Sequence, residues 1–228
     1  MKIGISQPTF MPWQGYFWLI NNVDEFIFLD DVQFDKRSWQ QRNKISLEKK
    51  DFFLTVPVKS KNKYNQKINE VLIDRSSDYI KKHLLTLKHA YKHSVYFEKY
   101  YREICKIYDH NFEKLNELNL ALIKFFLSIL NIKTKVSFSS KLKINSKKEE
   151  LIKDICLKKK CTSYISTIGA KNYLSCLEKY NLPFVIKYYD IKNNNNLEIN
   201  NKLSIIDLIF NFGEESTDII NKSFGIEI

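Results

Sequence analysis

The first thirty residues constrain the fold most. Two short apolar runs rich in β-formers, residues 2–6 (KIGIS) and 25–30 (EFIFLD), bracket a segment punctuated by Pro8, Pro12 and Gly15. Both runs read as buried strands, and Tyr16 to Asn22 reads as a short helix between them. Strand, turn, helix and strand in so short a span is the order of a parallel βαβ unit. The expected fold is therefore α/β, with a mostly parallel sheet started by that unit.

The rest of the chain extends the pattern. Strands are expected at 52–58 (FFLTVPV) and 70–73 (EVLI), with the Lys/Asn stretch 59–67 as an exposed loop. A helical block follows, over about 77–131. Its stripes are Ile80, Leu84, Leu87 and Tyr91, then Phe97, Tyr101, Ile104 and Tyr108, then Leu115, Leu118, Leu122, Phe125 and Ile129. Spacings of three and four residues put each stripe on one helix face, which reads as core-facing. Strands return at 134–138, 163–166 and 184–189, with helices at 147–158 and about 169–179, and the Asn-rich run 193–196 reads as a loop. Ser204 suits the N-cap of a helix ending at Phe212. Asp207 sits where a capping box needs it, and Gly213 is a good stop. No repeat and no linker rich in Pro, Gly or Ser appears, so residues 1–228 read as one α/β domain with a helical insertion.

Composition excludes several classes. With 228 residues, 44 % of them hydrophobic and 28 % charged, the chain can bury a core and is neither disordered, collagenous nor a disulfide mini-protein. A net charge of +11 suggests phosphorylated or polyanionic partners, although the chain's wealth of Lys, Asn and Ile spreads many lysines over helix faces. The N-terminus lacks the apolar run of a secretory signal. The longest apolar tract, 121–130, is broken by Lys124 and far shorter than the roughly 20 residues of a spanning helix. A soluble, cytoplasmic protein is expected. Its four cysteines form no CxxC pair and read as buried free thiols.

Residues 5–45 carry the functional signal. In α/β sheets ligands bind beyond the carboxyl ends of strands, and helix N-termini there receive phosphates. The first strand ends in the Pro/Gly turn that opens a helix, and the second ends in Asp30-Asp31, followed by Gln33. A cationic loop comes next, in which Lys36, Arg37, Arg42 and Lys44 are interleaved with Trp39, Gln40, Gln41 and Asn43. Taken singly, each feature has a structural reading: prolines shape turns, aromatics fill cores, aspartates end strands. Together on one sheet edge they suit an anionic, hydroxylated ligand, because guanidinium groups pair with phosphate while amides and carboxylates take hydroxyls.

Other candidates are sparser. His89 and His93 share a helix face but lack the HExxH pattern, so no metal is expected. His83 is a candidate general base. Asp207 and Asn211 share a face of the last helix and read either as capping groups or as ligand-edge groups. Lysines and tyrosines alternate over 88–101 in a way that could bind nucleic acid. No nucleic-acid motif accompanies them, however, and the tyrosines follow the core stripe, so no nucleic-acid partner is expected. Walker A, GxGxxG and GxSxG motifs are absent.

Several pieces of the chain resemble the WbqC-like protein family. They are Gln7-Pro8, Pro12-Trp13-Gln14-Gly15-Tyr16-Phe17, Leu29-Asp30-Asp31-Val32-Gln33-Phe34, Arg42-Asn43-Lys44-Ile45 and Leu54-Thr55-Val56-Pro57-Val58. Later pieces are Ser139-Ser140, Gly169-Ala170-Lys171-Asn172-Tyr173-Leu174 and Leu203-Ser204-Ile205-Ile206-Asp207-Leu208, with Asn211 and Gly213 after them. The resemblance implies a role in O-antigen or capsule biosynthesis, namely modification of an activated sugar by an acyl or amino-acyl group. On that reading Asp31 and His83 are the catalytic candidates. The substrate-binding candidates are Gln7, Trp13, Gly15, Tyr16, Asp30, Gln33, Arg37, Arg42, Asn43, Lys44, Lys59, Gly169, Lys171, Asp207 and Asn211. The partner is a nucleotide-linked sugar, with other polysaccharide enzymes possible, and ATP or an acyl donor is left open as cofactor. A non-catalytic nucleotide-sugar binder or scaffold is the alternative. The N-terminal turn is also similar to that of nucleotidyltransferases that open the first helix with His-x-Gly-His. Here Trp13-Gln14-Gly15-Tyr16 fills the slot without either histidine, which argues against plain adenylyl transfer.

Overall fold

The computed structural model describes residues 1–192 and 200–227. The loop expected at 193–196 lies outside the described residues. Strand β1 (Lys2–Ser6), helix α1 (Gln14–Asn21) and strand β2 (Glu25–Phe28) form the expected βαβ unit, the strands running parallel from Ile3 beside Glu25 to Ser6 beside Phe28. An antiparallel hairpin of β3 (Arg42–Leu47) and β4 (Lys50–Thr55) stands apart from the main sheet. Helices α2 (Tyr79–Tyr91), α3 (Phe97–Asp109) and α4 (Leu115–Ile129) make the helical block. Then come β5 (Lys135–Phe138), α5 (Lys148–Lys158), β6 (Ser163–Thr167), the single turn α6 (Lys171–Leu174) and β7 (Val185–Ile191). Helices α7 (Ile205–Phe212) and α8 (Ser216–Ser223) and strand β8 (Phe224–Ile226) follow. The sheet order is β5-β2-β1-β6-β7-β8, parallel throughout except for the β7–β8 pair.

Strand alternation sends side chains into two apolar layers. Phe26 and Phe28 enter the layer with α1, the helical block and α7. There Phe17 of α1 meets Phe126 of α4 edge-on at 6.0 Å. Ile3, Ile5, Ile27 and Leu29 enter the other layer, against Leu151, Ile152 and Ile155 of α5. Helices on both faces explain why the central strands read as nearly continuous apolar runs. Among the described residues no helix is long and apolar enough to cross a membrane.

The departures from expectation have local causes. Residues 42–45, expected in a loop, begin β3. Its two-residue turn, Glu48-Lys49, has φ of 51° and 62°, the left-handed geometry that tight hairpins demand even without glycine. Residues 70–73 form no strand. Residues Ile68–Glu70 make a 3₁₀ turn, and Leu72 and Ile73 make only isolated bridges to Lys114 and Val58. The helix expected at 169–179 is broken into a 3₁₀ turn, the single turn α6 and another 3₁₀ turn. Ser204 caps α7 by accepting from Ile206 N–H at 3.3 Å, but the Asp207 carboxylate turns to Tyr91 instead of completing the box. Cys156 and Cys161 are buried free thiols, while Cys105 and Cys176 are only half-buried.

Candidate functional site

From β1 the sheet grows outward through β2 to β5, and from β6 it grows the other way to β7. Strands β1 and β6 are neighbours, with Lys2 beside Ser163 and Gly4 beside Ile165. Connections leaving these two strands diverge to opposite faces, and such switch points open a crevice at the carboxyl edge. A cleft of about 600 Å³ lies there, bordered by Ser6 at the end of β1 and Gln7 after it, Leu29 after β2, and Ser166 and Thr167 at the end of β6. From the α5 side come Ile5, Ile152, Tyr164 and Leu174. From the α1 side and the hairpin come Trp13, Tyr16, Trp39, Gln40, Asn43 and Lys44, and Lys202 completes the rim.

Hydrogen bonds fix the polar rim. Gln40 Nε2 donates to Gln7 Oε1 at 2.8 Å, and Gln40 Oε1 accepts from Asp35 N–H at 3.0 Å. The buried Asn43 amide donates to the carbonyls of Phe10 and Met11 at 3.2 and 2.8 Å, clamping the β1–α1 loop to the hairpin. Burial raises the Tyr16 phenol well above its usual pKa, so it keeps its proton and donates it to the Gln7 carbonyl at 3.0 Å. Lys44 pairs with Asp51 at 2.8 Å, and both are partly solvated. Such surface pairs contribute little, so Lys44 can turn to an anion in the cleft. Helix α1 has no side-chain N-cap and no acidic residue in its first turn. The partial positive charge at its start is thus not neutralised by the chain itself.

Five of the sequence candidates border this cleft: Gln7, Trp13, Tyr16, Asn43 and Lys44. Gly15 lies against the Trp13 ring. Asp30 is buried and accepts from Ser139 Oγ (3.2 Å), Ser140 N–H (3.0 Å) and Ser140 Oγ (2.7 Å). Asp31 is half-buried and accepts from the Ser139 hydroxyl. The pair, one and two residues beyond the cleft's Leu29, ties the end of β2 to the turn after β5. Gln33 is exposed and donates to the Tyr64 carbonyl. Arg37 is exposed with φ of 63°, and the Arg42 guanidinium lies 4.6 Å from the Phe53 ring centre. Lys59 is exposed beyond the hairpin. Gly169 and Lys171 flank the cleft's Ala170 without bordering it, the Lys171 ammonium lying 5.8 Å from the Tyr188 ring.

His83 stands in the core of the helical block, 4 % exposed, between the Tyr108 hydroxyl at 2.9 Å and the Thr55 carbonyl at 3.1 Å. Asp207 and Asn211 are turned to the helical block. Asn211 accepts from Ser94 Oγ, and Asp207 accepts from the Tyr91 hydroxyl at 2.8 Å, which itself accepts from Ser46 N–H. Burial raises the Asp207 carboxyl pKa, an effect the Tyr91 hydrogen bond opposes. Tyr91→Phe should therefore destabilise the protein by about 1 kcal/mol, as expected for leaving a partly buried acceptor unpaired. A urea midpoint measured at pH 7 checks this; an unchanged midpoint refutes it.

Trp39 and Gln40 of the cationic loop also border the cleft, as do Ser166, Thr167 and Lys202, which no sequence motif singles out as ligand-binding. Ser166 and Thr167 end a strand and follow the strand-end rule, but only once β6 is known to lie beside β1. Among the described residues no three His, Cys, Asp or Glu side chains gather as a metal site would require.

Residues 7–219 match the WbqC-like protein family. The uncharacterized protein Rv1507c of Mycobacterium tuberculosis is 32 % identical over 225 residues, spanning 96 % of this chain and 97 % of that protein. No solved structure matches the chain. With the family matched over residues 7–219, nearly the whole chain, the chain belongs to the WbqC-like protein family.

Proposed function

We propose that the protein binds a nucleotide-linked amino sugar in the switch-point cleft and joins an acyl or amino-acyl group to its amine, as a cytoplasmic step of surface-polysaccharide biosynthesis. The observation that carries the reading is the cleft itself, where a topological switch point, an uncapped helix start and two lysines, Lys44 and Lys202, coincide. Cations and free N–H groups suit phosphates, and the amides of Gln7, Gln40 and Asn43 suit sugar hydroxyls. The apolar flank of Ile5, Ile152 and Leu174 suits an acyl group. In the reaction the amine nitrogen bonds to the carboxyl carbon of an activated acyl donor. The bond to the donor's leaving group breaks, and the amine gives up a proton to a base. Asp31, at the same sheet edge, is the proposed base.

The test is turnover of a nucleotide amino sugar with acyl and amino-acyl donors, with and without ATP, read as an amide product by mass spectrometry. Asp31→Asn keeps an acceptor for Ser139, so the fold should persist. It should lower turnover by about a hundredfold or more, the usual range for a lost general base, with sugar-nucleotide binding kept. Unchanged turnover removes Asp31 from the mechanism. A second reading, a non-catalytic nucleotide-sugar carrier, is favoured by one observation: no described side chain bordering the cleft is a carboxylate, histidine or cysteine. Tight binding without product from any donor would support it.

A further inference from the structure

Trp39 is the least buried aromatic ring on the cleft's hairpin side, 51 % exposed. A large apolar ring left in water is ordinary on a loose loop. This loop is not loose. Its Trp39 carbonyl accepts from Phe10 N–H at 2.9 Å, and the buried amides of its two following residues brace it from within. Gln40 Oε1 takes the Asp35 N–H, and Gln41 Oε1 takes the Arg37 N–H, both at 3.0 Å. Asn119 of α4 holds the Gln40 carbonyl at 2.8 Å, and Gln41 Nε2 reaches the Val56 carbonyl at 3.2 Å. Arg37 accepts a left-handed φ of 63° within it, a conformation that a non-glycine residue adopts at a cost.

The ring is supported as well as presented. Phe53 of β4 stands beside it at 6.1 Å between centres and 31° between planes. Over Phe53 lie the Arg42 guanidinium at 4.6 Å and the Lys44 ammonium at 5.6 Å. One end of the cleft mouth is thus a rigid, half-bare π-surface with two cations a single aromatic ring away. A planar base on the indole, with its phosphates toward those cations, fits this arrangement. Aromatic platforms beside positive charge hold bases in this way whatever their identity.

From this geometry we infer that Trp39 is the stacking platform for the nucleobase of the ligand, which places the base at the hairpin end of the cleft and the sugar toward β1 and β6. This rests on the nucleotide-sugar reading above and assigns its base subsite. The selectivity it implies is for the presence of a base, with little preference among bases.

Calorimetric titration of the intact chain with UMP and with ribose 5-phosphate tests the inference, because the second probe keeps the phosphate and ribose but lacks the base. In the parent protein UMP should bind more tightly than ribose 5-phosphate. Trp39→Leu should weaken UMP by about tenfold, the order of one lost base–aromatic stack, and leave ribose 5-phosphate unchanged. Trp39→Phe should restore most of the UMP affinity, and CMP and GMP should follow UMP. Equal weakening of both probes by Trp39→Leu would mark a structural role and overturn the assignment. So would undiminished UMP binding, including the case in which Trp39→Leu instead abolishes self-association seen by sedimentation. If the parent protein discriminates UMP from ribose 5-phosphate but Trp39→Leu preserves that discrimination, only the platform fails. If it binds no nucleotide and no nucleotide sugar, the nucleotide-sugar reading fails, and the platform with it.

Discussion

A methyl group added at position 15 should loosen the fold and empty the cleft together. Gly15 lies in the first turn of α1, and a Cβ built there would stand 2.6 Å from Trp13 Cζ2 and 2.7 Å from Cζ3, closer still to Cη2. The indole cannot simply swing aside. It stacks on Tyr189 at 6.4 Å and meets Phe224 edge-on at 5.4 Å, and it borders the cleft. Overpacking of this kind costs about 1–3 kcal/mol, offset by about 1 kcal/mol because alanine favours a helix over glycine. Gly15→Ala should therefore destabilise by up to about 2 kcal/mol net, a fall in Tm of up to about 8 °C for a chain of this size. Nucleotide-sugar affinity should drop as the ring is displaced from the cleft wall. The mechanism predicts strong coupling: in a Trp13→Leu background the same alanine should be neutral or stabilising, because the atoms it would strike are gone. A Gly15→Ala protein as stable as the parent would show that the ring yields freely.

Acid should expose the second large effect. His83 is enclosed by the helical block, and its two hydrogen bonds define a neutral ring: Nε2–H donates to the Thr55 carbonyl and Nδ1 accepts from Tyr108. The Tyr108 phenol is itself raised by burial and keeps its proton. Desolvation lowers the His83 pKa to about 4, against a smaller opposing effect from the Thr55 carbonyl. The unfolded chain takes up a proton near pH 6.5 while the folded chain resists until about pH 4, so the unfolded state binds more protons between those values. Stability is full above about pH 6.5 and falls as the pH drops toward 4, by about 3 kcal/mol at about 1.4 kcal/mol per pH unit. Glu25 adds to the loss at lower pH. Burial works against its ionised form, but Lys159, Ser137 and Lys135 together hold its pKa below the ordinary value. Urea unfolding from pH 4 to 8, for the parent and for His83→Leu, separates the contributions. The stability difference between the two proteins should change across pH 6.5 to 4, because Glu25 acts equally in both. A difference constant with pH would remove His83 as the cause. A ring this enclosed and this reluctant to ionise serves the core between α2, α3 and β4.

Local physics made much of the architecture readable. Three apolar stripes at helical spacing located α2, α3 and α4, and their limits lie within a few residues of those expected. The β1–α1–β2 order required a parallel pair, and the pair is there. Turn chemistry was legible where one residue decides it: Gly213, with φ of 57°, ends α7. Legibility failed where the deciding contact is remote. Arg42 to Ile45 is polar and short, and it becomes a strand because Thr55 back to Phe52 pairs with it. Residues 70–73 alternate like a strand, yet no continuous partner is brought beside them. Asp207 has the spacing of a capping box, and a tyrosine from a different helix, α2, takes its carboxylate instead.

The sequence by itself determined the kind of fold and the place of the helical block, because strand and helix periodicities and Pro/Gly turns act over a few residues. Tertiary structure alone decided where the cleft is. Strand β6 comes about 160 residues after β1, and only their pairing creates the switch point and brings Ser166 and Thr167 to Gln7 and Trp13. It also separated residues adjacent in sequence: Asp30 and Asp31 bind the turn after β5, Trp39 faces the cleft mouth, and Gln40 and Gln41 turn inward to brace it. Such choices rest on side-chain contacts between distant segments, which no local pattern encodes.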